Sequence, residues 1–296
     1  SAASDVYKRQ RQIISLTYSQ KFIPYKQNTK PLTSMKNTLT IQTAFGIVIA
    51  SLFSAFFAGA MVIGLGLSNP EEPQQTYTFV SFIIGQGFML VPLLWFLRTR
   101  NEPIAKRLRI RFTSSDVVIS TIYLSFGIII LSDELDRIIQ IFLPAPDYIL
   151  DLNGLLQPES ITGFVLLFTA VVIVAPLGEE LLFRGFLQQV LEKHWKDITR
   201  AVLVTALLFA MIHMNPYWFI QIYILGVLLG FLAWKTNSVI PPLILHGINN
   251  GMALFFSFTE IESNHIYIFN GHVAPWFIFF SVYAVLRGFK SINQIK

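Results

Sequence analysis

The sequence predicts an all-α fold: a polytopic membrane helix bundle with about eight transmembrane helices. Three observations predict it. First, of 296 residues 53% are hydrophobic and only 13% charged, where soluble domains carry roughly 25% charged residues. Second, charge-free intervals recur at the roughly 17–25 residues needed to cross a hydrocarbon core. Third, the lysines and arginines sort to one side of the resulting arrangement.

The elements follow from the charge-free intervals. Asn37–Pro70 contains FGIVIASLFSAFFAGAMVIGLGL, the first helix, and Pro73–Leu97 is the second. Val117–Ser132 gives a short third helix. Ser160–Gly178 begins a fourth that runs on through two glutamates. Ala201–Trp234 is interrupted by MNPYW at 214–218, so it divides into a fifth and a sixth helix. Thr236–Thr259 is the seventh, with Pro241 and Pro242 in its first turn, where proline is tolerated. Val273–Leu286 is the eighth. Between the third and fourth, IIQIFLPAP and YILDLNGLL are amphipathic and are expected to lie along the outer interface.

Eight spans place both termini on one side. All but Arg137 and Arg184 of the 22 lysines and arginines then fall on that side. The opposite loops hold acids, among them Glu71, Asp133, Glu134, Asp136, Glu159 and Glu260. The positive-inside rule makes the basic side cytoplasmic, and compact basic loops suit a bacterial inner membrane. The net charge of +5 therefore reflects topology, and no nucleic-acid partner is expected. The opening SAASDVYKRQ matches nothing else in the chain and resembles a cloning artefact. Four segments result: a cytoplasmic segment at 1–39, helices one to three with the outer loop at 40–159, a polar-bearing core at 160–257, and the last helix and tail at 258–296.

The chain has no cysteine, which excludes disulfides, thiolate metal sites and a thiol nucleophile. His-Glu-x-x-His, Gly-x-Ser-x-Gly and Gly-x-Gly-Asp are absent too, so zincin, serine-hydrolase and aspartyl membrane-protease arrangements lack support. What the membrane helices do contain is a small set of polar groups at helical spacing. Glu180 and Arg184 are four apart and share a face. Glu179 is rotated about 100° from Glu180, unpaired along its own helix in a poor solvent for charge, which suits a general base or acid. Phe209 and His213 form a second pair, and His246 and Asn250 a third. Each alone is as well explained by packing; a phenylalanine means little in a chain with 27. Their concurrence on three helices suggests a site able to hold a water and polarise a carbonyl. His194 follows the fourth helix in a basic turn and is expected to be a solvated interface residue, while His265 and His272, in the last outer loop, could chelate a metal only weakly.

Glu179-Glu180-x-x-x-Arg184, Phe209-x-x-x-His213 and His246-x-x-x-Asn250 resemble, in order and spacing, the CPBP family of CAAX-protease and bacteriocin-processing (Abi) intramembrane proteases. The resemblance implies peptide hydrolysis inside the membrane. Glu179 and His213 would activate water, His246 and Asn250 would stabilise the oxyanion, and Arg184 would hold Glu180, with Phe209 in support. It leaves the cofactor open, as either none or Zn²⁺ on Glu179, His213 and His246; Asn250 suits an oxyanion donor better than a zinc ligand. The implied partners are membrane lipid and a membrane-tethered or amphipathic peptide substrate. Two other classes stay open on the residues alone: a non-catalytic membrane immunity or binding protein, and a small proton-coupled transporter in which Glu179 relays protons.

Overall fold

A computed structural model describes residues 39–69, 71, 74–144, 146–147, 157–258 and 266–294. The described residues belong to one compact unit, Leu39–Lys296. The predicted N-terminal segment, YILDLNGLL and His265 lie outside the described residues.

The described chain is all-α apart from one small hairpin. The helices are α1 (Ile41–Leu67), α2 (Gln74–Thr99), α3 (Ile104–Arg107), α4 (Ser115–Phe142), α5 (Ile161–Trp195), α6 (Ile198–Ile212), α7 (Phe219–Thr236), α8 (Ile240–Phe258) and α9 (Pro275–Asn293). Helices α1, α2, α4, α5 and α7 are each long and apolar enough to cross a membrane; α6, at 15 residues, is shorter. Large apolar side chains such as Phe53, Phe57 and Trp95 face outward, as lipid-facing residues of an integral, multi-pass membrane protein do.

Three features depart from the sequence reading. Helix α4 does not stop at Ser132 but continues to Phe142. Its charged turns stay helical because Arg137 pairs with Asp133 one turn away, and Asp136 accepts from Gln140 and from Gln221 of α7. Much of IIQIFLPAP is therefore the end of α4. Helix α9 likewise runs to Asn293, beyond Leu286. A two-residue hairpin, β1 (Ile268–Phe269) paired antiparallel with β2 (His272–Val273), precedes it, turning at Asn270 and Gly271 with positive φ. The backbone N–H of Val273 and a ring nitrogen of His272 bind Glu134 at 2.8 Å each, which docks the hairpin on α4.

Helix α5 is the axis of the molecule's polar interior. The largest apolar cluster packs Leu182, Phe183, Phe186 and Leu187 of α5 against Leu93 and Leu97 of α2 and Phe209 of α6. Within α5, Thr169–Val174 and Glu180–Leu187 are wound as π-helix. A short α-helical stretch, Ala175–Glu179 with Pro176 and Gly178, separates the two wide segments. Wide turns of this kind are frequent at functional sites.

Candidate active site

The first wide turn has a chemical consequence. At the end of Thr169–Val174 the Ala175 N–H bonds the Ala170 carbonyl, five residues back. The next N–H in that register would serve Val171, but residue 176 is proline and has none. The Val171 carbonyl instead accepts from Asn250 Nδ2 of α8 at 2.9 Å. Helix α8 comes this close because a glycine faces α5: a Cβ at Gly247 would stand 3.1 Å from the Val172 carbonyl oxygen. The same approach brings His246, one residue before Gly247, against the glutamates.

Glu180 and Arg184 form the predicted pair, Nη1 to Oε1 at 2.9 Å, and both are buried, at 1% and 0% exposure. Burying a guanidinium demands more than one partner. Arg184 Nη2 also donates to the Gly226 carbonyl of α7 at 3.2 Å, and its guanidinium carbon lies 4.1 Å from the centre of the Phe209 ring. His246 Nδ1 donates to the same Glu180 Oε1 at 2.9 Å. With Nδ1 protonated, the neutral ring keeps its lone pair on Nε2. That nitrogen stands 3.9 Å from Glu179 Oε2, too far for a hydrogen bond and suited to a bridging water.

The other predicted residues surround this cluster. The Phe209 ring meets His246 edge-on at 5.7 Å and His213 at 4.8 Å. His213 Nδ1 donates to the Phe209 carbonyl at 2.7 Å, so its Nε2 is the free nitrogen. Asn250 Oδ1 accepts from Asn249 Nδ2 at 3.3 Å. Three helices thus bring Glu179, Glu180, Arg184, Phe209, His213 and His246 into one contact network, and Asn250 fastens the helix that carries His246. Of the remaining histidines, His194 Nδ1 bonds the Val190 carbonyl and His272 pairs with Glu134.

One member was missed from sequence. Gln86 of α2 donates from Nε2 to Glu179 Oε1 at 3.3 Å. It shares α2 with Gln74 and Gln75, and no motif spacing ties it to Glu179. Its Oε1 and Glu180 Oε2 are buried and accept no hydrogen bond from the described residues. Among the described residues no three His, Asp or Glu side chains are grouped to hold a metal ion.

The fold and cluster define an integral membrane protein with a buried carboxylate–imidazole site. Comparison with known proteins narrows the class. Residues 161–252 match the family model described as type II CAAX prenyl endopeptidase Rce1-like, which bears out over this segment the resemblance read from the three motifs. The match spans α5 to α8 and so contains every site residue except Gln86. An Escherichia coli protein named "Uncharacterized 24.3 kDa protein" is 26% identical over 118 residues, 38% of this chain and 53% of its own length. The UPF0177 protein YbdI of Lactococcus lactis is 29% identical over 119 residues, 39% of this chain and 62% of its own. The matched region thus spans between about half and three-fifths of these relatives. No solved structure gives a significant match.

Proposed function

We propose that the protein is an intramembrane endopeptidase in which Glu179 and His246 share the hydrolytic water. One observation carries this reading: Glu179 Oε2 and His246 Nε2 face each other at 3.9 Å while Glu180 holds the far side of the imidazole. Both facing atoms are acceptors. A water between them donates one hydrogen to each, and its lone pairs are free to attack. Glu179 takes the proton as the carbon–oxygen bond forms and returns it to the amine as the carbon–nitrogen bond breaks. Asn250 has a second amide hydrogen beyond the one on Val171, and this one binds the developing oxyanion. His213 Nε2 accepts from a substrate backbone N–H. This pairing differs from the one the resemblance implies, in which His213 activates the water.

The substrates are membrane-tethered or amphipathic peptides, by analogy with the matched family. With the basic loops in the cytoplasm, Glu179 lies close to the inner edge of the hydrocarbon core. About 18 residues separate it from the start of α5, or about 27 Å of helix, against a core about 30 Å thick. The test is cleavage of lipidated and amphipathic reporter peptides by purified protein. Glu179→Gln and His246→Ala are expected to lower the rate at least about 100-fold with unfolding midpoints near wild type. Undiminished biological activity in both variants would point to a binding protein, and proton-coupled uptake into proteoliposomes to a transporter.

A further inference from the structure

A second site lies away from the glutamates, where the start of α4 meets the end of α9. The two helices run antiparallel and nearly touch. A Cβ at Gly288 would stand 2.9 Å from the Ser120 carbonyl oxygen, and Ser120 Oγ bonds Ser291 Oγ at 2.7 Å. With backbones this close, the long side chains are displaced to the flank of the crossing, where they line a groove of about 630 Å³.

The lining is graded. Ile119 and Leu286 are exposed at 51% and 65% and form an apolar wall. Tyr123 and Tyr283 stand in the same groove, as amphipathic rings do at a membrane–water boundary. Beyond them come Arg287 and Lys290, both exposed. Among the described residues neither forms an ion pair, whereas the less exposed Arg107 and Arg109 do, with Glu102 and Glu192. Asp116 is the single acid of the groove, so its formal charge is positive. It lies at the end of the bundle that carries the basic loop between α2 and α4.

We infer that this groove holds the headgroup of an anionic glycerophospholipid, its acyl chains lying along Ile119 and Leu286. Arg287 and Lys290 neutralise the phosphodiester, and Asp116 accepts from headgroup hydroxyls, which phosphatidylglycerol has and phosphatidylcholine lacks. Basic pockets between membrane helices recognise lipid headgroups by this chemistry. The inference rests on the membrane-spanning fold and is independent of catalysis.

The test uses the full chain in mild detergent, with phosphatidylglycerol or phosphatidylcholine of identical acyl chains added, and lipid retention counted by native mass spectrometry. Phosphatidylglycerol is expected to bind the wild type more tightly. Arg287→Gln/Lys290→Gln is expected to weaken it about 10–50-fold, while Arg287→Lys/Lys290→Arg and the charge-matched control Arg98→Gln/Arg100→Gln keep the preference. Soluble glycerol phosphate is expected not to compete. Equal retention of the two lipids by wild type, unchanged retention in the Gln variant, an equal loss in the control, or displacement by glycerol phosphate would each overturn the inference.

Discussion

Glu180 Oε1 accepts from Arg184 Nη1 and from His246 Nδ1, each at 2.9 Å. One carboxylate oxygen thus joins an arginine of its own helix to a histidine of α8. The negative charge is matched within α5, and what remains of it orients the imidazole whose other nitrogen faces Glu179. Two adjacent glutamates can occupy a membrane helix because one is locked in this way and the other, on the proposed mechanism, serves as the base.

Removing Arg184 should leave Glu180 uncompensated. Arg184→Met is expected to lower stability by about 3–5 kcal/mol, seen as a drop in thermal midpoint in detergent. Glu180→Gln/Arg184→Met should recover most of that loss. A double variant no more stable than the single would show that the pair is not coupled.

Asn250 should separate packing from chemistry. Asn250→Ala loses one interhelical hydrogen bond, at a cost of about 1 kcal/mol, while peptide cleavage falls about 100-fold. Equal activity in this variant and the wild type would remove Asn250 from the oxyanion role.

The approach of α8 to α5 should depend on one glycine more than on its neighbour. Gly247→Val drives a side chain into the Val172 carbonyl and should cost about 1–3 kcal/mol, with activity reduced as His246 is pushed off Glu180. A Cβ at Gly251 would sit in ordinary contact, 3.6 Å from Val172 Cγ1, so Gly251→Ala should keep both. Thermal unfolding and cleavage of the two variants side by side would check this.

Much of this was legible in the sequence. Charge-free intervals located the helices because an unpaired charge in hydrocarbon is costly. They misplaced the end of α4 because Asp133 and Arg137 neutralise each other one turn apart. The motif spacing exposed Glu179, Glu180, Arg184, His213, His246 and Asn250. Other features depend on contacts between distant elements and left no periodic trace: the Glu180–His246 bond, Gln86 against Glu179, and the Val171 carbonyl freed by Pro176 in a five-residue register.

Outside the membrane, Glu102 supplies an acid-sensitive contact. Two hydrogen bonds from Arg107, both 2.8 Å, hold its carboxyl below the usual glutamate value, against the opposing effect of burial. A depressed folded-state pKa gives stability that is present above the unfolded value of about 4.3 and lost as pH falls through the folded one. Thermal midpoints between about pH 7 and pH 3 should therefore fall less steeply in Glu102→Gln than in wild type. Parallel curves would assign the acid dependence to other groups.

Solvent density in high-resolution crystals would test most directly whether Glu179 and His246 share a water. A solvent peak is expected within hydrogen-bond distance of both Glu179 Oε2 and His246 Nε2, lost or displaced in His246→Ala. Density showing the two side chains in direct contact, or turned apart with no solvent between them, would contradict it.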